Sequence, residues 1–269
     1  MRNRLFLIGG GAIFALTCVL AYRLELPELH TKPAQLVSML NVTSHNGAVT
    51  ANTTADTLVA VLVTRYAYGR DSSDARRRVE QVVITDTLVG DSWMLNAEIP
   101  AATQPIGAVF DIQAPRTVDL NITTSNGKVT VNGFEADVGV VTTNSPVIFT
   151  GTKGDGTIIT TNGKVTVQVH SGAMTVQTSN GEIDCDIAYL PATKSVQLTT
   201  TNAKVTLRLP PDVSALVTAT TTNGTVVVTG YQVEYLEQSR SRIRAKIGSG
   251  ASTININTTN GDILIQSRY

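Results

Sequence analysis

Few residues in this chain could carry chemistry. Asp184 and Asp186 flank Cys185 in "DCD", Asp155 stands in "GDG" at 154–156, His170 lies between them, and "RIRAK" at 242–246 supplies cations. Carboxylates grouped with a histidine and a basic pair are the equipment of polysaccharide lyases and hydrolases. Asp184 and Asp186 would also offer hard oxygens to calcium, but two carboxylates without a ligand loop fall short of a site. In "EIDCDI" the alternation puts Ile183, Cys185 and Ile187 on one face and the acids on the other. That buries the thiol, which is reactive only as an accessible thiolate. It also turns the acids outward, beside Gln168 and Arg208 of neighbouring segments, where an ion pair explains them more simply than catalysis. His30, His45 and His170 show no metal-ligand spacing, so neither metal nor cofactor is expected. Tyr66, Tyr68 and Trp93 could line a sugar site or pack a core, and "ARRRVE" at 75–80 and "RSRIRAK" at 240–246 could meet anionic headgroups or glycans, or solvent. Lysine plus arginine equals aspartate plus glutamate at 21 each, so nothing in the bulk charge points to nucleic acid.

The residue that recurs is asparagine. Asn126, Asn144, Asn162, Asn180, Asn202, Asn223 and Asn260 are separated by 18, 18, 18, 22, 21 and 37 positions. Two residues before them stand Thr124, Thr142, Thr160, Thr178, Thr200, Thr221 and Thr258, without exception. Three residues after them stand valine or isoleucine, from Val129 to Ile263, and the fifth position after is apolar again, as is the fourth before. Intervening positions are mostly polar. Each unit therefore reads as strand, turn, strand, turn, with one apolar face per strand. A single unit cannot bury that face, whereas stacked units lay like on like.

These elements predict an all-β fold: a right-handed β-solenoid (β-helix) of about 18-residue layers, with an N-terminal β-rich cap and an N-terminal membrane segment. Seven layers at about 4.8 Å would make a rod roughly 30 Å long. Thr160, Asn162 and their equivalents would form a structural turn ladder, their side chains bonding backbone and stacking between layers. The competing arrangement is an antiparallel meander of "NG" hairpins. It would tolerate Ser145 and Ala203 poorly at positions needing positive φ, and it needs no column identity at a spacing of 18. Lys164, Glu182 and Lys204 share one outward column, where stacking sets opposite charges side by side.

Residues 121–269 would be the solenoid, with 231–249 inserted as a cap, an extra layer or a docking element. Residues 38–120 read as the N-terminal cap and leading strands, out of register with the repeat, with a short helix starting near Ser72 or Ser73. Residues 23–37 read as a charged, proline-bearing spacer. In 1–22, Arg2 and Arg4 precede an uncharged run from Leu5 to Tyr22. This is a signal anchor, or a signal peptide cleaved after Ala21, and either places the remainder outside the cytoplasm. No cap follows the last repeat, so Thr258, Asn260, Asp262, Leu264 and Gln266 are expected on an edge open to a protein partner or to self-association.

The run from Leu120 to Asp186, with "TTSNGKVTVNGF", "VVTTNSPVIFTG", "TTNGKVTV" and "QTSNGEIDC", and the closing "GSGASTININTTNGDILI" resemble a bacterial "putative adhesin" family of repeated "TSNG" β-strands, a domain of unknown function. "SHNGAVTA" at 44–51 matches that family's leading "NGxV" strand. The resemblance covers about residues 40 to 269. It implies a right-handed β-helix outside the cytoplasm and no catalytic residues. The expectation is a non-enzymatic structural or adhesive surface module displayed from the membrane. The alternatives are an accessory subunit docking through its solenoid edge and a carbohydrate-active β-helix enzyme.

Overall fold

The structure is a computed structural model that describes residues 22–99 and 106–268; the targeting segment expected at 1–22 falls, apart from Tyr22, outside them. No helix among the described residues is long and apolar enough to cross a membrane.

In chain order the strands are β1 (Tyr22–Pro33), β2 (Met39–Thr43), β3 (Val49–Thr54) and β4 (Leu58–Gly69), then helix α1 (Ser72–Val79). There follow β5 (Val83–Val89), β6 (Ser92–Glu98), β7 (Ile106–Pro115), β8 (Asp119–Thr123), β9 (Val129–Asn132), β10 (Val138–Val141) and β11 (Val147–Thr150). The repeat continues with β12 (Gly156–Ile159), β13 (Val165–Ser171), β14 (Met174–Gln177), β15 (Ile183–Tyr189), β16 (Ser195–Thr199) and β17 (Val205–Leu209). The last are β18 (Ala215–Thr221), β19 (Val226–Thr229), β20 (Val233–Gln238), β21 (Arg242–Ile247), β22 (Ser252–Thr258) and β23 (Ile263–Ser267).

They form two long sheets. The first, of eleven strands, runs β1-β4-β7-β3-β9-β11-β13-β15-β17-β23-β19, and the second, of twelve, runs β20-β21-β18-β22-β16-β14-β12-β10-β8-β2-β6-β5. Each layer gives one strand to each sheet, and neighbouring layers pair in parallel and in register. Val129, Val147, Val165, Ile183, Val205 and Ile263 therefore meet as one column, as do Ile122, Val140, Ile158, Val176 and Leu198. All these side chains are buried. Burying each valine or isoleucine contributes about 1.5–3 kcal/mol relative to exposure, which is what holds the layers together.

Several expectations change at the ends. Residues 23–37 are mostly strand: β1 pairs antiparallel with β4 over its whole length, since Leu24 and Leu26 have apolar surface to pack on. Residues 38–120 are largely in register with the repeat, because β2 and β3 pair with β8 and β9, and β6 and β7 pair with β2 and β3, all in parallel. The layers thus number nine, not seven, a rod of about 40 Å at about 4.8 Å per layer. Helix α1 does begin at Ser72, and its cap is the Asp71 side chain, which accepts from the Asp74 N–H at 2.8 Å.

At the other end the layers leave sequence order. The layer β22–β23 sits between β16–β17 and β18–β19, so β23 is hydrogen-bonded on both sides. The expected edge through Thr258, Asn260, Asp262, Leu264 and Gln266 is therefore interior. The 37-residue spacing holds one unit plus the β20–β21 hairpin of the 231–249 insertion, which extends the second sheet by pairing antiparallel with β18.

Candidate functional site

In the seven repeat layers the turn after the second-sheet strand is built from a threonine, an asparagine and the residue after it, which is glycine except at Ser145 and Ala203. The threonine points inward and is buried at every position. At Thr160, Thr178 and Thr221 its hydroxyl accepts the N–H of the glycine three residues on, at 3.1–3.2 Å, and donates to a carbonyl of the adjoining layer. Thr200 and Thr258 donate across layers in the same way, at 3.1 Å. Among the described residues the hydroxyls of Thr124 and Thr142 have no partner. The glycine is needed for close approach: a Cβ on Gly163 would lie 1.8 Å from the Ser145 carbonyl oxygen, and one on Gly181 equally close to that of Gly163.

The asparagine amides form a continuous ladder outside. Each Nδ2 donates to the Oδ1 of the layer before: Asn126 to Asn46 at 2.9 Å, then Asn144 to Asn126, Asn162 to Asn144, Asn180 to Asn162, Asn202 to Asn180, Asn260 to Asn202 and Asn223 to Asn260, at 2.7–2.8 Å. The order follows space, not sequence, and the ladder starts at Asn46. Sequence reasoning placed Asn46 in the leading strand without counting it as a rung. Its columns were legible, with Val42, Ser44, Val49 and Ala51 at the defining offsets, but the insertion before Asn126 hides the period.

A second ladder was missed altogether. Asp119, Asp137 and Asp155 recur at 18 residues; Asp119 accepts the backbone N–H of Asp137 at 3.0 Å, Asp137 that of Asp155 at 2.8 Å, and Lys194 closes the row on Asp155 at 2.8 Å. These acids wall a depression of about 530 Å³ over Gly139 on the outer face of the second sheet, with Asn121, Thr157 and Val141 also lining it.

The chemistry-bearing residues are spent on interlayer contacts. Asp184 pairs with Arg208, Asp186 with Arg268 at 2.7 Å, and Lys164 with Glu182 at 3.1 Å. Cys185 is fully buried and its thiol is pushed far up by that burial, so it is not a nucleophile. At Val169, φ of 58° breaks the alternation of β13, so Gln168 and Val169 both face out and His170 turns in. His170 Nε2 lies 3.0 Å from the Ala173 carbonyl, which can only accept, so Nε2 carries the proton and Nδ1 accepts from the Thr152 hydroxyl at 2.9 Å. Burial holds this imidazole below its ordinary value. His30 is 2.9 Å from Asp86, which also accepts from the indole of buried Trp93; Trp93 is thus a core residue of the cap. Tyr66 and Tyr68 stack beneath the Arg23 guanidinium. In the basic segments, Arg77 and Arg78 pair with Asp74, and Arg242 with Glu237. Among the described residues no group of three or more His, Cys, Asp or Glu side chains converges as metal ligands.

Among the described residues four strand edges remain. Edge β1 carries Pro27, Pro33 and alternating charges, β5 carries Asp86, and β20 carries Glu234, Glu237 and a bulge beside Leu236. All are devices that discourage further pairing. Edge β19, Val226 to Thr229, has no charge, proline or bulge, and its Val227 is exposed.

Among known proteins, the family model described as Toastrack DUF4097 matches residues 33–266. Of solved structures, the chain is similar to a "putative cell adhesion protein" from Clostridium sporogenes, at 11% identity over 91% of this chain and 100% of that one, with a TM-score of 0.41. It is also similar to a "putative adhesin" from Bacteroides fragilis, at 10% identity over 90% and 97%, with a TM-score of 0.39. No curated protein matches the chain. Since the family match runs from the end of the first strand into the last, through every layer, the chain belongs to the Toastrack DUF4097 family.

Proposed function

We propose that the chain is a non-enzymatic, extracytoplasmic β-solenoid, coiled in the right-handed sense usual for parallel crossovers and displayed from the membrane as a structural or adhesive module. The observation that carries this reading is the use made of the polar side chains. The amides, the acids at 119, 137 and 155, and the ion pairs at 164, 184 and 186 all run along the stack and join layer to layer. A carbohydrate-active enzyme would instead need two carboxyls held apart across a substrate, and Asp184 and Asp186 are each committed to an arginine. Arg2 and Arg4 ahead of an uncharged run support the tether and its direction.

Display makes two demands that can be tested together. Protease added outside the cytoplasmic membrane of intact cells should degrade the module while a cytoplasmic marker survives, and purified module should bind cells or matrix unaltered by changing Asp184 and Asp186 together to Asn. Protection from the protease would sink the localisation, and glycan turnover abolished by the double substitution would establish an enzyme.

A second reading, an accessory subunit docking through a solenoid edge, is favoured by the unguarded β19. Its partner would add a strand there, main chain to main chain. A stoichiometric companion that is retained by the native protein and lost on Val228→Pro, whose N–H faces away from β23, would support it, and purification without one would count against it.

A further inference from the structure

Asparagine followed by glycine is the most reactive dipeptide toward deamidation, because no side chain shields the glycine nitrogen. That nitrogen loses its proton to solvent base and attacks the asparagine Cγ. A C–N bond forms, the Cγ–Nδ2 bond breaks, and Nδ2 departs with added protons as ammonia. Water then opens the five-membered imide at either carbonyl to give aspartate or isoaspartate. Six rungs of the ladder have this dipeptide: Asn46, Asn126, Asn162, Asn180, Asn260 and Asn223.

The fold treats one of them differently. Gly47, Gly127, Gly163, Gly181 and Gly261 are buried, and the asparagine before each has its amide bonded on both sides, Asn46 closing its end by donating to the Ile106 carbonyl at 3.1 Å. Gly224 is the one ladder glycine that is not buried; its N–H donates to the Thr221 hydroxyl at 3.1 Å, as those of Gly163 and Gly181 do to Thr160 and Thr178, so exposure and the missing rung are what set it apart from those two. Asn223 donates to Asn260, but among the described residues no donor reaches its Oδ1, because β18–β19 is the last layer of the stack. Where the next layer would lie there is a depression of about 250 Å³ lined by Thr222, Asn223, Gly224, Arg240 and Ser241. Asn132, outside the ladder but also followed by glycine, is held like the inner rungs: it donates to Asn52 at 2.8 Å, and the Gly133 N–H donates to the Thr150 carbonyl at 2.9 Å.

We propose that Asn223–Gly224 is a self-modification site, converting to aspartate or isoaspartate through the succinimide while the stacked rungs protect the other asparagines. The product carboxylate cannot donate to Asn260, so the last rung of the ladder is lost. A negative charge also appears on the layer that carries the uncharged β19 edge, and the change is irreversible, so the charge of this end records the age of the molecule.

The test is peptide mapping by mass spectrometry of the full chain held in mildly alkaline buffer, folded and in denaturant. Having one ladder hydrogen bond fewer to break, Asn223 should convert about fivefold or more faster than Asn162 and Asn180 in the folded protein. In denaturant the six sites should converge. A chain with Asn223→Gln should lose the early acidic species on isoelectric focusing while melting as a folded protein. Equal rates among the rungs of the folded protein, or an acidic species that survives in Asn223→Gln, would overturn the proposal.

Discussion

At the scale of single residues, the asparagine is a fastener. Each inner amide makes two ladder bonds, and a net contribution of about 0.5–1.5 kcal/mol per bond puts the cost of Asn162→Ala at about 1–3 kcal/mol. Asn223→Ala removes one bond and should cost about half as much, a ratio that urea denaturation of the two variants would read. His170 gives a pH dependence with a definite sign. Its folded-state value is lowered, so as pH falls through the ordinary value near 6.5 the unfolded chain takes up the proton first. Stability is complete above that value and declines below it. Urea midpoints from about pH 8 to about pH 5 should fall more for the native protein than for His170→Gln. The threonine and asparagine columns were legible because they repeat. The inward turn of His170 was not, since a β-branched residue in the left-handed region, Val169, has no sequence signal of its own.

At the scale of elements, the interior of the stack could be read from the chain and its ends could not. Val129, Val147 and Val165 stand 18 apart and stack, because parallel pairing in register turns a sequence period into a spatial column. The ends are laid down out of order, and no period encodes that. Asn46 lies far from Asn126 along the chain and one layer from it in space. Likewise β22–β23 follows the β20–β21 hairpin in sequence yet enters the stack before β18–β19. Two deletions separate these roles. Removing residues 232–248 and joining the ends with a short Gly/Ser linker takes away only an edge hairpin, and should lower the melting temperature while leaving one cooperative transition. Truncation after Ser249 takes a layer from between two others and exposes both buried faces, so far-ultraviolet circular dichroism should show loss of the folded state. Similar modest effects from both would mean that β23 is not interior.

At the scale of the whole molecule, contacts are mostly between residues distant in the chain, and the stack is covered at one end by β1, β4, α1 and β5 and at the other, over the second sheet alone, by the β20–β21 hairpin. Such a rod should be most protected at its centre. Hydrogen exchange should be slowest in β11, β13 and β15, which are bonded on both sides, and fastest in β1, β5, β19 and β20, the four edges. Uniform protection would contradict this gradient. The interposed last layer also governs how such a protein can change its length. A repeat copied onto the C-terminus would meet neither a free β23 nor an unfilled layer, because that strand already lies between two others. New repeats can be accommodated only where successive layers follow one another in both sequence and space, from β8 to β17. Like a book with one cover short, the molecule leaves β19 uncovered at its far end, yet pages can be added only in the middle.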